Sequence, residues 1–288
     1  MQKKTFQLND GRTLAYAESG VMDGRPLLVI GGSGNGRLFR ILDDELLREL
    51  HIRQITVDRP GMGASTHQPT RRVVDFADDI AQLMAHLDIQ TVAILGVSQG
   101  APFAAACGYR LQNTLSSVSL VSGVAPLTPD ILATQSQQIR FTLSLAKRAP
   151  FLLGVIYRMT GFFLRLQGGQ AIQQTLGMLP ESDQQIINNH PEIAQMMADA
   201  VVDALQPGVK GAIRDMQVII EDWGFDIGAV QSKVFMWQGE QDPNVTPEMR
   251  QYYQNHLPNC EATFVPDAGH LLIFSHTRPI FEQIIDAY

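Results

Sequence analysis

The stretch that decides the fold is Gly96–Gly100 (GVSQG), a Gly-x-Ser-x-Gly pattern in a chain of 288 residues. The apolar run Val92–Leu95 before it is typical of a buried strand, and the small residues of Ala101–Cys107 after it are typical of a helix. A sharp turn from strand to helix strains the backbone of its central residue and exposes the side chain, and flanking glycines leave room for the neighbouring elements. An ordinary turn bounded by glycines is the alternative. The strand and helix around it favour Ser98 as a catalytic nucleophile.

Seven other short runs rich in apolar and β-branched residues predict strands. The first two flank Asn9–Gly11 (NDG), a turn signal that indicates a hairpin. Helical spacing of apolar residues over Val73–Leu87 and Leu271–Tyr288 predicts helices between and after the strands. This alternation implies an α/β fold with a mostly parallel eight-stranded sheet and helices on both faces. The seven runs are Lys4–Leu8, Thr13–Ala17, Pro26–Ile30, Ile52–Val57, Ser117–Val121, Val234–Trp237 and Ala262–Val265.

The alternation of predicted strands and helices stops between Pro126 and Ile227, where helix-like segments rich in Gln and Met follow one another without a convincing buried strand. We therefore predict a core of residues 1–125 and 228–288 with a helical cap inserted at residues 126–227. Within the cap, Pro150–Leu166 is strongly apolar but contains Arg158 and Arg165. A membrane span needs about 20 apolar residues with few charges, so this stretch predicts a partly buried helix pair.

Composition narrows the kinds of partner. A net charge of −7 and a pI near 5.5 argue against nucleic acid or an anionic membrane as the main partner. Cys107 and Cys260 form neither a disulfide framework nor a metal-binding spacing, and the first residues lack the apolar run of a signal peptide. We expect a cytoplasmic protein with a small-molecule substrate, no cofactor, no metal and no integral membrane segment. No pattern indicates an oligomeric state.

A serine nucleophile needs a base, and the base needs an acid that orients it. Asp242 lies just beyond the predicted strand Val234–Trp237, and His270 lies just beyond Ala262–Val265. The carboxyl ends of parallel strands meet at one edge of the sheet, which is where active groups gather. The chain order Ser98, Asp242, His270 is the order this architecture uses.

Each partner also has a simpler interpretation. Asp242 could cap the helix that begins near Thr246, and Glu240 competes for the role of acid. His270 could be a surface histidine, one of seven in the chain, and Asp267 is better explained as a residue that shapes the turn. The required order and the position of each residue beyond a strand favour Asp242 and His270.

An oxyanion needs two N–H donors. One should be the backbone N–H of Gln99, directly after the nucleophile. The other should come from the loop after Ile30, Gly31–Arg37 (GGSGNGR), whose glycines let the backbone approach a ligand. A phosphate-binding loop is the rival interpretation, but the loop has neither the Gly-x-Gly-x-x-Gly pattern nor a Lys-Ser/Thr ending.

These motifs together resemble the α/β-hydrolase superfamily over nearly the whole chain. Gly96–Gly100 resembles its nucleophile elbow, and Asp242 and His270 resemble its acid and base. Asp58–Ser65 (DRPGMGAS) is similar to the family's turn after the fourth strand, which implies structural roles for Asp58 and Arg59.

The loop Gly31–Arg37 resembles the family's His-Gly-x-Pro-Gly oxyanion loop, which implies that the second donor is the backbone N–H of Ser33. The sequence departs from that pattern, because Gly31 replaces the His, Gly34 the Pro and Asn35 the second Gly. A loop with these replacements is expected to be more flexible than usual.

The resemblance implies a serine hydrolase that cleaves a small-to-medium, largely apolar ester, thioester or lactone. An amide, peptide or C–C bond hydrolase, or a receptor-like member with slow turnover, is the alternative. Ser98 excludes the relatives that use an Asp nucleophile, and Gln99 stands where prolyl-peptidase relatives carry Trp. Some apolar cap residues should cover the site; the candidates are Phe151, Leu152, Phe162, Phe163 and the cap methionines.

Overall fold

The computed structural model describes residues 2–288, which build one eight-stranded sheet in the order β1-β2-β4-β3-β5-β6-β7-β8. Strands β3 to β8 run parallel to one another, and β2 is antiparallel to both of its neighbours. The predicted hairpin is therefore present, and the predicted fold class is confirmed. The strands are β1 (Gln2–Gln7), β2 (Thr13–Gly20), β3 (Arg25–Ile30), β4 (Ile52–Val57), β5 (Val92–Val97), β6 (Leu115–Val121), β7 (Val234–Gly239) and β8 (Cys260–Val265).

Helices cover both faces of the sheet because its central strands are apolar on both sides. In β5, Val92 and Ile94 pack into one hydrophobic cluster, whereas Ala93 and Leu95 pack into the other. Side chains that alternate between two buried faces are what a central parallel strand requires. The helices of the core are α1 (Asp44–Glu49), α2 (Phe76–His86), α3 (Ala101–Arg110), α11 (Pro247–His256), α12 (Leu272–Ser275) and α13 (Thr277–Ile285).

Between β6 and β7 the chain forms seven α-helices and, within the described residues, no strand. We call α4–α10 the cap helices. The domain boundaries at residues 126 and 227 stay a prediction. The cap helices are α4 (Pro129–Thr134), α5 (Gln137–Arg148), α6 (Pro150–Gln167), α7 (Gly169–Gln173), α8 (Glu181–Asn189), α9 (Pro191–Ala204) and α10 (Lys210–Val218).

The prediction for Pro150–Leu166 is wrong in one respect. The stretch forms the single helix α6 rather than a helix pair. Pro150 stands at the start of the helix, where its missing N–H costs nothing, and no proline interrupts the rest. No helix that the structure describes in residues 2–288 has both the length and the apolar character to cross a membrane.

The candidate site residues reach one edge of the sheet because their strands are parallel. Ser98 follows β5, Asp242 follows β7 and His270 follows β8, while the loop Gly31–Arg37 follows β3. All four strands end at the same edge, so residues far apart in sequence meet there.

Candidate active site

Ser98 sits on a strained turn between β5 and α3. Its φ of 55° lies in the left-handed region, which residues with a side chain seldom adopt. The flanking glycines are required by space. A Cβ on Gly96 would lie 2.7 Å from the Cβ of Ala104, and one on Gly100 would collide with the carbonyl oxygen of Ile30. The local geometry is that of the nucleophile elbow that the sequence pattern indicates.

Ser98, His270 and Asp242 form a continuous hydrogen-bonded chain. His270 Nε2 lies 3.0 Å from Ser98 Oγ, and Nδ1 lies 2.8 Å from Asp242 Oδ2. The Asp242 side chain is fully buried, whereas His270 is partly exposed. With its proton on Nδ1, the imidazole donates to Asp242 and accepts from the Ser98 hydroxyl, which is the arrangement a general base needs.

Asp242 also shapes its own loop. Its second carboxylate oxygen, Oδ1, accepts the backbone N–H groups of Asn244 at 2.8 Å and Val245 at 3.3 Å. The helix-capping interpretation does not hold, because the N-cap residue of α11 is Thr246. Both carboxylate oxygens of Asp242 thus have partners, and the contacts of Oδ1 hold the side chain so that Oδ2 points at the imidazole.

The competing residues do not join this chain. Glu240 and Asp267 are both exposed, and within the described residues neither bonds to an imidazole. His276 has its Nδ1 2.9 Å from the hydroxyl of its neighbour Ser275 instead of reaching Ser98. The structure therefore separates the predicted acid and base from each alternative that the sequence left open.

A second carboxylate holds the backbone of the histidine loop, and sequence reasoning missed it. Asp183, fully buried in α8, accepts the N–H of His270 and the N–H of Leu271, each at 2.9 Å. The His270 carbonyl accepts the hydroxyl of Ser122 at 3.0 Å. A Cβ on Gly269 would crowd the same carboxylate. A cap helix thus positions the candidate base by its main chain.

The two carboxylates also set the charge balance at His270. Burial alone would lower the pKa of His270, but the charge and hydrogen bond of Asp242 and the charge of Asp183 outweigh it, and the pKa is raised above its ordinary value. Burial also raises the pKa of Asp183, against the effect of its two amide donors. Of the charged groups near this ring, these two carboxylates favour the imidazolium.

The glycine-rich loop is held by a buried arginine. The guanidinium of Arg59 is fully buried and donates to the carbonyl oxygens of Gly31 and Gly32. Asp58 accepts the N–H of Arg37 at the other end of the loop, at 2.6 Å. These contacts fix both ends of the loop, which was predicted to be flexible. They agree with the structural roles that the resemblance implies for Asp58 and Arg59.

The two residues that are candidate oxyanion donors lie beside the nucleophile. Ser33 and Gln99 line the same cavity as Ser98, and a Cβ on Gly32 would lie 3.1 Å from the Ser98 Cβ. Within residues 2–288, no turn, loop or side-chain acceptor receives the backbone N–H of Ser33 or of Gln99. Both N–H groups remain available to a ligand.

A buried ion network ties this loop to the cap. Asp215 of α10 is paired with Arg59 and Arg71, and its backbone carbonyl accepts the side-chain amide of Gln99 at 3.0 Å. All four side chains are buried. A buried charge left without its partner is costly, so this network fixes α10 over the elbow.

Two cavities open onto Ser98 and His270. The larger, about 270 Å³, lies under α5 and α10, and the smaller, about 170 Å³, lies beside α9 and α12. Among residues 2–288, no Asp, Glu, Lys or Arg lines either cavity. Apolar residues of the larger cavity are Val124, Leu127, Ile139, Leu143, Met216, Ile219 and Met249. Those of the smaller cavity are Phe39, Val97, Met197, Leu271, Ile273 and Phe274.

The cap therefore covers the site, but not with all the residues expected. Met216 and Met197 line the cavities, as predicted for the cap methionines. Phe151, Leu152, Phe162 and Phe163 were also candidates, and all four are exposed on the outer side of α6. Within residues 2–288, no group of three or more His, Cys, Asp or Glu side chains is placed to hold a metal ion.

The fold and this arrangement define the class of protein. The family model for the alpha/beta hydrolase fold matches residues 26–277, nearly the whole chain. The chain therefore belongs to the α/β-hydrolase family, and the resemblance found in the sequence is confirmed.

The chain is similar to a hydrolase in sequence and to an esterase and a lactonase in structure. An uncharacterized hydrolase of Bacillus subtilis, YcgS, is 23% identical over 265 residues, which cover 91% of this chain and 90% of that protein. A thermophilic esterase from Thermogutta terrifontis is similar in structure with a TM-score of 0.68, 21% identity and coverage of 99% and 97% of the two chains. The enol-lactonase from Burkholderia xenovorans gives 0.69, with 15% identity and 99% of both chains.

Proposed function

We propose that the protein is a serine hydrolase that cleaves a small-to-medium, largely apolar ester, thioester or lactone. The observation that carries the proposal is the hydrogen-bonded chain from Ser98 through His270 to Asp242, which opens directly onto two cavities without charged side chains. The similarity to an esterase and an enol-lactonase supports the same class of bond.

In the proposed reaction, Ser98 Oγ attacks the carbonyl carbon while His270 Nε2 takes its proton. The oxyanion accepts the N–H groups of Gln99 and Ser33, and Asp242 stabilises the imidazolium. His270 then gives the proton to the departing oxygen or sulfur, which leaves an acyl group on Ser98. His270 next takes a proton from a water molecule as that water attacks the acyl-enzyme, and it returns the proton to Ser98 Oγ when the bond to the acyl group breaks and the carboxylic acid is released.

The lining of the two cavities supports this substrate class. Burial of a charged group without a partner is costly, and no Asp, Glu, Lys or Arg lines either cavity. The larger cavity suits an apolar acyl group, and the smaller one receives the leaving part. A volume of about 270 Å³ is at the low end for small-molecule sites, which favours short-to-medium acyl chains.

A turnover assay tests the proposal. The protein should hydrolyse 4-nitrophenyl butyrate with many turnovers per molecule and should cleave the matching 4-nitroanilide far more slowly. Binding of the ester without turnover would favour a receptor-like member. Faster cleavage of the anilide would favour an amide or peptide hydrolase.

The length of the acyl chain should control the rate. We expect kcat/KM for 4-nitrophenyl esters to rise by about fourfold per methylene, since each buried methylene contributes about 0.8 kcal/mol, and then to fall sharply when the larger cavity is full. Ile139→Ala enlarges that cavity and should move the maximum to longer chains.

The matched control is Ile156→Ala, because Ile156 is exposed on α6 and lines neither cavity. It should leave the chain-length profile unchanged. A flat profile for the wild type, or equal activity on long emulsified lipids, would show that the cap helices do not enclose the acyl group.

The pH dependence should reveal the part played by Asp183. A general base must be neutral, so activity is present above the pKa of His270 and is lost as the pH falls through it. Asp242 and Asp183 raise that pKa. Asp183→Asn removes one of the two charges, lowers the pKa and should move the acid limb of kcat/KM to lower pH.

Two variants serve as controls for this shift. Asp267→Asn removes an exposed carboxylate of the same loop and should not move the acid limb, and His276→Ala should leave it unchanged. His270→Ala should abolish turnover. If Asp183→Asn lowers kcat without any shift of the limb, Asp183 has only a structural role.

A further inference from the structure

The outer face of α6 is an apolar stripe that nothing in the structure covers. Eight large apolar side chains follow one another at helical spacing and are all exposed, with Phe151 at 74%, Phe162 at 59% and Leu166 at 65%. The inner face of the same helix is apolar too, and Leu153 and Leu164 are buried there. The exposed stripe is Phe151, Leu152, Val155, Ile156, Met159, Phe162, Phe163 and Leu166.

An exposed stripe of this kind needs an explanation. Single apolar residues on a surface are normal, but soluble monomeric proteins rarely expose eight large apolar side chains along one helix. Such a surface marks contact with another protein or with a membrane. The cavities of the active site do not use these side chains.

The charge of the chain segment that contains the stripe favours an anionic partner. Residues 131–180 contain five Lys or Arg and no Asp or Glu, although the whole chain has a net charge of −7. All five cations are exposed, and within residues 2–288 none has a carboxylate oxygen within 4.0 Å. They are Arg140, Lys147, Arg148, Arg158 and Arg165.

Most other arginines that the structure describes have a different environment. Arg12, Arg37 and Arg59, for example, are each paired with a carboxylate. Arg165 shares a surface groove with Asp199 and Asp203 but is not paired with either. An apolar stripe on a helix that itself carries unpaired cations is the pattern of a helix that lies in the interface of an anionic bilayer.

We propose that α5 and α6 form a docking surface for an anionic phospholipid bilayer, with α6 lying in the plane of the interface. The apolar stripe enters the boundary between headgroups and acyl chains, and the five cations contact lipid phosphates. A second copy of the chain is a poorer occupant, because a symmetric contact through α6 would bring the same cations together. The net charge of the whole chain argues against an anionic membrane, whereas the local distribution of charge on this segment favours one.

Docking would place the bilayer one helix layer from the active site. Leu153, on the inner face of α6, belongs to the same hydrophobic cluster as Leu143 and Met216, which line the larger cavity. The proposal goes beyond the proposed function, because hydrolysis of a water-soluble ester reports on the active site alone. Either one can therefore fail while the other stands.

Flotation with vesicles tests the proposal on the full chain. The wild type should float with vesicles of equal parts phosphatidylcholine and phosphatidylglycerol but not with phosphatidylcholine alone, and high salt should weaken binding. The double variant Arg148→Glu/Arg158→Glu should lower the partition coefficient by at least about 25-fold, about fivefold for each cation. Phe162→Ser/Leu166→Ser should abolish flotation.

The matched control is Met22→Ser/Arg48→Glu, which changes an exposed apolar residue and an exposed cation outside the cap helices. It should bind as the wild type does, and all variants should keep the wild-type melting temperature and turnover of a soluble ester. Absence of flotation, or equal flotation with phosphatidylcholine alone, would overturn the proposal. A dimer in sedimentation velocity that Phe162→Ser/Leu166→Ser converts to monomer would assign the stripe to a second copy instead.

Discussion

Replacing Ser98 with alanine should reduce turnover by about six orders of magnitude, because a triad whose nucleophile is lost retains only binding and oxyanion stabilisation. The substitution removes only the hydroxyl group that His270 Nε2 contacts at 3.0 Å, so the fold should be unchanged. The measurement is kcat/KM with a 4-nitrophenyl ester, together with the melting temperature of both proteins.

Covalent labelling tests the role of Ser98 by a different method. A fluorophosphonate should add one group per native molecule, at Ser98, as seen by intact mass and peptide mapping. Ser98→Ala and the unfolded wild type should not be labelled, since activation needs the assembled site. Ser275→Ala, an exposed serine outside the site, should behave as the wild type does. Undiminished turnover in Ser98→Ala would end the serine-hydrolase proposal.

The candidate triad was predictable because each member follows a strand that the sequence marks clearly. The runs Val234–Trp237 and Ala262–Val265 predict strands, and the parallel arrangement brings Asp242 and His270 to the edge where Ser98 lies. Local pattern and topology together suffice for such residues. The sheet order itself follows from the alternation of strands and helices only in outline.

The role of Asp183 was not predictable, because it depends on a contact with His270, 87 positions away, that no sequence motif indicates. Its position on a cap helix depends on how α8 packs against the loop after β8, and spacing within the helix contains no information on that packing. Arg59 presents the same problem. The resemblance implies a structural role, but only the fold shows that its guanidinium holds Gly31 and Gly32.

Helix α6 shows a further limit of pattern reading. A helix that is apolar around most of its circumference is normally buried on most sides, so Phe162 and Phe163 were reasonable candidates for covering the site. Periodicity identifies apolar faces but does not say which one meets the core. Here the face with Leu153 and Leu164 is buried and the other is exposed.

Replacing Asp242 with asparagine should lower kcat/KM by about four orders of magnitude through the tautomer of His270. The N–H groups of Asn244 and Val245 already point at Oδ1, so the amide oxygen of the new side chain should stay there. Its NH2 group would then face His270 Nδ1 as a donor. The imidazole proton would move to Nε2, and Nε2 could no longer accept the proton of Ser98.

The control for this variant is Glu240→Gln, since Glu240 is exposed in the same loop and was the competing acid. We expect a change of less than about twofold, because the charge of an exposed carboxylate is screened by water and salt. The rate of fluorophosphonate labelling should fall in Asp242→Asn in parallel with turnover, while the melting temperature stays close to that of the wild type. A severe loss in Glu240→Gln with a mild one in Asp242→Asn would exchange the roles of the two carboxylates.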